Sequence, residues 1–225
     1  MADAVAIFSG GLDSTTLLYH LRAEGHTLRL LSVDYGQRHA RRELDCARPL
    51  AAELGLEWRM LDLSSLVGFF GSNALTDSTR GIPTGAYSAD TMDQTLVPNR
   101  NMVLLSVALS WAIAAGATAV AFGAHSGTYS PYPDCRPAFA DAMASAARVC
   151  HETPLGFWAP FIRWSKADIV ARGAELGVPF GRTWSCYRGG ALHCGVCGTC
   201  VDRRTAFAEA GVLDPTEYTM AGAPE

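Results

Sequence analysis

The sequence predicts an α/β fold: a parallel, doubly wound sheet with a small C-terminal appendage built on four cysteines. Three observations predict it. Apolar runs at residues 4–8, 27–33, 57–63 and 117–123 alternate with helical patterns at the spacing of βαβ units. The runs open into glycine-rich or polar loops rather than hairpin turns. Cys186, Cys194, Cys197 and Cys200 crowd one short stretch. At 225 residues and 49% hydrophobic content the chain is long and apolar enough for one full core. Boundaries are expected at 1–180 for the sheet domain, with a mobile segment at 64–95. The appendage and a closing helix take 181–212, and a tail takes 213–225.

The first run leads into Ser9-Gly10-Gly11-Leu12-Asp13-Ser14-Thr15 and a helix continuing through Thr16. Two glycines let the backbone turn sharply and approach a ligand. The amides opening the helix point forward unpaired, which suits an anion, commonly a phosphate. A Walker loop needs Gly-Lys-Ser/Thr and a dinucleotide fingerprint needs Gly-x-Gly-x-x-Gly, and neither is present. An ordinary turn capped by Asp or Ser would use similar letters.

The second run ends in Asp34-Tyr35-Gly36-Gln37-Arg38-His39 and a helix over 41–54, which Gly55 stops. Ligands of parallel sheets lie beyond the strands' carboxyl ends, so 9–14 and 34–39 are expected to face one cleft. Residues 64–94 carry no sustained period and read as either a lid or a surface excursion. A helix over 102–115 is apolar all round and is expected to be buried between layers. Arg100 at its start needs an anion or a carboxylate. The loop 125–137 brings Tyr129, Tyr132, Asp134 and Arg136, parts that clamp a flat hydrogen-bonding ring, unless the acid and arginine pair with each other. Residues 152–155 read as the start of a short fifth strand, and Ser165 with Asp168 as the cap of a helix over 167–176. Lys166 reads as a phosphate contact or a solvated lysine.

Four cysteines at this spacing suit a closed tetrahedral Zn²⁺ site with a structural role. An iron–sulfur cluster is the rival, but no proline follows Cys200. Cys46, Cys135 and Cys150 are left over and read as buried structural thiols. A net charge of −4 without a basic stripe argues against nucleic acid. No apolar run reaches membrane-spanning length and no signal peptide is visible, so a cytoplasmic location is expected.

Ser-Gly-Gly-x-Asp-Ser resembles the signature of the PP-loop ATP pyrophosphatases, whose fold is adenine nucleotide α-hydrolase-like. The ordered set extends the likeness: Asp34–His39, Val97-Pro98-x-Arg100-Asn101, Tyr132-Pro133-Asp134-Cys135-Arg136-Pro137, Glu152-Thr153-Pro154-Leu155, and Thr183-x-Ser185-Cys186-Tyr187 running to Cys200. Together they resemble the 7-cyano-7-deazaguanine synthases of queuosine biosynthesis. The resemblance implies ATP with Mg²⁺, 7-carboxy-7-deazaguanine and ammonia as partners, a homodimer, and release of AMP and pyrophosphate. It implies nucleotide binding by Phe8, Ser9, Gly10, Gly11, Leu12, Asp13, Ser14, Thr15, Thr16 and Asp34. Substrate binding would fall to Tyr35, Gln37, Arg38, Arg100, Asn101, Tyr132, Asp134 and Arg136. Catalysis would fall to Asp13, Ser14, Arg100 and Lys166, with Asp13 orienting the loop or holding Mg²⁺. Asn99, Thr128 and Pro131 depart from the usual family residues, which leaves a paralogue that stops at the amide, or adenylates another carboxylate, as an alternative. A tRNA-thiolating enzyme using Cys135 and a nucleic-acid-binding zinc ribbon are further alternatives.

Overall fold

The computed structural model describes residues 2–125 and 132–219. In chain order the elements are β1 (Asp3–Ile7), α1 (Leu12–Ala23), β2 (Thr27–Asp34), α2 (Ala40–Glu53) and β3 (Trp58–Asp62). There follow α3 (Ala89–Thr95), α4 (Arg100–Ala114), β4 (Ala119–Ala121), α5 (Pro137–Val149), β5 (Gly156–Trp158), α6 (Lys166–Glu175) and α7 (Gly198–Glu209). The strands form one parallel sheet in the order β3-β2-β1-β4-β5.

Both faces of the sheet are covered, because successive strand residues point to opposite sides and both sets are apolar. Val5, Leu31, Val33 and Val120 pack with Leu105, Ala108 and Ala112 of α4 and Met143 and Ala147 of α5. Ala4, Ala6, Leu28, Leu30, Ala119 and Ala121 pack with α1, α2, α6 and α7, through residues such as Leu17, Leu50, Ile169 and Phe207. The chain crosses from one side of β1 to the other between β3 and β4. The loops after β1 and β4 therefore leave the sheet at its switch point, where a crevice opens.

Three expectations are corrected. The fifth strand is Gly156–Trp158, so it begins after 152–155 rather than within them. His151 to Pro154 are exposed, Leu155 N–H closes the end of α5 on Ala147 O, and Gly156 is the residue small enough to lie against Ala119. Helix α4 is buried along one stripe only. Met102, Ser106 and Ser110 line an exposed face, where the two serine hydroxyls bond back to the carbonyls four residues earlier. Residues 64–94 are not featureless: a 3₁₀ turn spans Ser64–Phe69, and α3 starts with a capping box of Ser88 and Thr91. Phe70, Ala74, Leu75, Ile82 and Met92 are buried there. Of the family departures, Thr128 and Pro131 lie outside the described residues, as does Tyr129. Asn99 carries the one left-handed φ of a non-glycine among the described residues, 58°, at the start of α4. Asparagine tolerates that conformation and glycine adopts it without strain, so the substitution at this position is conformational.

Candidate active site

The loop after β1 begins from a buried anchor. Phe8 N–H bonds Leu31 O, and Ser32 Oγ donates to Phe8 O. Gly10 turns with φ 79°; a Cβ there would lie 2.6 Å from Glu43 O and 2.7 Å from Ala47 N of α2. The loop is thus wedged on α2 through the one residue type that fits. Gly11 N–H donates to Ser9 Oγ at 3.2 Å, and Ser14 Oγ donates to Gly11 O at 3.2 Å. No side chain caps α1, so its first amides stay available to an anion.

A cavity of about 300 Å³ opens above this loop at the switch point. On one wall Asp13 Oδ2 accepts from Lys166 Nζ at 3.2 Å, and Lys166 also meets Asp202 Oδ2 at 3.0 Å. Lys166 is the chain's only lysine. Burial would raise the Asp13 carboxyl, but Lys166 and His125 beside it hold it below the usual range. Burial would likewise lower Lys166, and the two carboxylates keep its amine charged. The second Asp13 oxygen, Oδ1, is buried without a partner.

The opposite wall is aromatic and cationic. Arg100 donates to Tyr35 Oη at 3.3 Å and to Asn101 Oδ1 at 3.2 Å. Tyr87 and Tyr187 share a hydrogen bond of 3.0 Å, and Tyr132 stands edge-on to Tyr87. Trp184, His39, Gln37 and Glu43 close the floor toward α2. Flat apolar faces with a few fixed polar groups suit a planar heterocycle.

Of the residues expected at the site, Phe8, Ser9, Gly11, Leu12, Asp13, Ser14, Tyr35, Gln37, Arg100, Asn101, Tyr132 and Lys166 line this cavity. The others are placed elsewhere. Gly10 faces α2, and Thr15 and Thr16 are fully buried beneath the loop, Thr16 against Gly173 of α6. Asp34 accepts from Gly36 N–H within its own turn. Arg38 is exposed and donates to Arg80 O. Asp134 accepts from Asn101 N–H at 3.1 Å, anchoring the start of α4 from outside the cavity, while Arg136 is exposed at the start of α5. Asp134 and Arg136 therefore serve as caps and surface. His39 lines the cavity as the 34–39 expectation has it, while sequence reasoning missed Glu43, Tyr87, Tyr187, Trp184, His125 and Asp202 as wall residues. Glu43 falls one helical turn after His39, which is the signal that could have found it.

The sulfurs of Cys186, Cys194, Cys197 and Cys200 lie within 4.8 Å of one another, and all seven cysteines are free thiols. Cys194 Sγ and Cys200 Sγ are 3.9 Å apart, close to the edge of about 3.8 Å that a tetrahedron with 2.3 Å metal–sulfur bonds requires. Backbone N–H groups of Cys194 and Cys197 donate to Cys186 Sγ and Cys194 Sγ, as thiolate ligands need. The donor set fits a metal ion. His193 is not part of it: its Nε2 accepts from Ser185 N–H at 3.0 Å and its ring stacks on Trp184. The cysteine knot adjoins the cavity directly, since Tyr187 and Thr199 between the cysteines, and Trp184, Ser185 and Asp202 just beside them, all line it.

Residues 3–211 match the family described as Queuosine biosynthesis protein QueC. The chain is 44% identical over 222 residues to the 7-cyano-7-deazaguanine synthase of Chromohalobacter salexigens, covering 99% of this chain and 88% of that protein. It is 47% identical over 219 residues to the synthase of Rhizobium etli (95% and 91%) and 45% over 215 to that of Methanoregula boonei (96% and 98%). With the loop, the cavity and the cysteine set in place along nearly its whole length, the chain belongs to the queuosine biosynthesis protein QueC family.

Proposed function

We propose that the protein is an ATP-dependent, carbon–nitrogen bond-forming ligase that converts 7-carboxy-7-deazaguanine and ammonia to 7-cyano-7-deazaguanine. The substrate carboxylate attacks the α-phosphorus of ATP, and pyrophosphate leaves. Ammonia displaces AMP to give the amide. A second ATP activates the amide oxygen, and loss of AMP gives the nitrile. The single observation that carries this reading is the uncapped helix start behind Ser9–Ser14, wedged on α2 and opening into a cavity with a planar, aromatic wall.

The residues divide the work. Amides of the loop, with the Ser9 and Ser14 hydroxyls, hold phosphate oxygens. Lys166 and Arg100 supply fixed cations where charge develops on pyrophosphate. The unpartnered Asp13 Oδ1 suits Mg²⁺, which when bound supplies the hard charge that clustered phosphates require. Tyr35, Tyr87, Tyr132 and Tyr187 hold the deazaguanine ring and exclude water, which would hydrolyse the adenylate. Zn²⁺ is the metal proposed for the four cysteines, where it would fix the wall that carries Tyr187 and Asp202.

The relatives are named for the nitrile product, which does not favour a paralogue that stops at the amide. Burial pushes the Cys135 thiol up to about 12, so it supplies no sulfur-carrying thiolate. Free thiols throughout support a reducing, cytoplasmic setting, and exposed Met60, Phe69 and Met102 offer apolar surface for a homodimer. No helix among the described residues is long and apolar enough to cross a membrane. The test is incubation with ATP, Mg²⁺, ammonium and 7-carboxy-7-deazaguanine, followed by mass spectrometry. Nitrile is the predicted product; amide alone, or untouched substrate, defeats the reading.

A further inference from the structure

Three acidic groups line the cavity among the described residues: Asp13, Asp202 and Glu43. The first two are tied to Lys166. Glu43, in the first turn of α2, has no such partner. Gln37 holds one of its oxygens, donating from Nε2 to Oε2 at 3.0 Å. Gln37 is itself fixed, since its Nε2 also reaches Val33 O and its Oε1 accepts from Tyr35 N–H at 2.8 Å. The other carboxylate oxygen, Oε1, has only His39 Nε2 near it, at 3.9 Å. Burial, helped by Arg100, holds the His39 imidazole down to about 4, so it is neutral and no counter-charge. Arg100, from α4, is engaged by Tyr35 and Asn101, and Asp34 at the end of β2 adds a like charge. One oxygen is thus oriented and the other is free to meet a small donor in the cavity.

Tyr35, Tyr87 and Tyr187 are raised by burial, Cys135 is pushed up to about 12, and His125 is lowered by burial. Burial pushes Glu43 up to about 7, against the Gln37 hydrogen bond and the Arg100 charge. A nitrogen substrate that arrives as ammonium must lose a proton before it attacks.

Resting on the reaction proposed above, we propose that Glu43 is the base that receives the ammonium substrate and deprotonates it. The Glu43 carboxylate takes one proton from ammonium, which frees the nitrogen lone pair. The nitrogen forms a bond to the acyl carbon of the adenylate. The carbon–oxygen bond to AMP breaks, and its electron pair leaves on the phosphate oxygen. A second nitrogen proton passes to solvent, leaving the neutral amide.

The experiment compares Glu43→Gln with wild type in two half-reactions. Ammonium-dependent amide formation falls by about 100-fold or more. Pyrophosphate exchange into ATP, driven by 7-carboxy-7-deazaguanine, stays within roughly threefold. Hydroxylamine, uncharged at neutral pH and in no need of a base, restores capture to within about tenfold of wild type. The wild-type amidation rate rises through an inflection near pH 7 that the glutamine variant lacks and Glu43→Asp keeps. Parallel loss of exchange and amidation overturns the proposal and makes Glu43 a reader of the deazaguanine edge. Undiminished amidation with ammonium overturns it outright, as does an aspartate variant as slow as the glutamine one. Absence of exchange in the wild type defeats the ligase reaction itself, and this proposal with it.

Discussion

The loop at Ser9–Ser14 and the cysteine knot at 186–200 come from opposite ends of the chain, yet they wall the same cavity. They do so by different means. The loop is shaped by its own main chain and short side chains: the Ser9 and Ser14 hydroxyls bond to each other and to Gly11, and Gly10 yields space to α2. The knot works through side chains. Its sulfurs gather around one point, and the residues between and beside them project into the cavity. The knot is also strapped to the rest of the wall. Gly85 N–H bonds Val196 O, Thr84 bridges to Cys197, and Tyr87 lies so close to Gly198 that a Cβ there would be 2.8 Å from its ring. An element that reads as a fold-holding appendage therefore also shapes the site.

Substitutions at each end sharpen this contrast. The largest effect is expected from Asp13→Asn in the loop, which removes the charge that Lys166 is held against and the carboxylate proposed above for Mg²⁺. AMP formation falls by about 10³-fold or more while metal content, read by atomic absorption, stays at wild type. Retained turnover breaks the assignment of Asp13. Next is Cys197→Ser or chelation at the knot. Structural Zn²⁺ contributes on the order of 10 kcal/mol in small zinc domains, so loss of metal should unfold 181–212 and abolish adenylation together. Full activity in a metal-free protein severs the link between the knot and the site.

A smaller effect is expected from Gly198→Ala, which keeps every ligand but pushes the Tyr87 ring. The KM for the deazaguanine rises by roughly tenfold, about 1.4 kcal/mol of binding, with kcat and metal content little changed. Glu43→Gln gives a pH-dependent shift in stability. The folded protein holds a proton on Glu43 up to about pH 7, whereas an ordinary glutamate releases it near 4.5. Wild type therefore loses stability relative to the variant as pH rises through that window. At pH 8 the variant is more stable by on the order of 2 kcal/mol, and the difference closes below pH 4.5 in denaturant titrations. The smallest effect is at Asn99, whose left-handed backbone favours Asn99→Gly by a few tenths of a kcal/mol at most and penalises Asn99→Val by about 1–2.

What was legible in the sequence was local. The strand, loop and helix around Ser9–Ser14, the capping box at Ser165 and Asp168, and the cysteine spacing are each set by neighbours in sequence, and each stands where expected. What was not legible depends on packing across the chain. Asp134 and Arg136 carry the right chemistry for a ring clamp, yet the fold uses the acid to cap α4 and leaves the arginine in solvent. Tyr87 sits in a segment without periodicity, and its place on the wall comes from contacts with Tyr132, Tyr187 and Gly198, all far away in sequence. Asp202 lies on the closing helix, and only the packing of α7 brings it 3.0 Å from Lys166. The serines of α4 were hidden in a run that reads as apolar because their hydroxyls bond back to the helix itself.

The central claim is that the loop between β1 and α1 grips a triphosphate so that the bond between α and β phosphates is cut. Phosphorus NMR of the turnover mixture tests it most directly. The account predicts AMP and pyrophosphate appearing together, only when 7-carboxy-7-deazaguanine is present, and neither with Asp13→Asn. Accumulation of ADP and inorganic phosphate instead would contradict it.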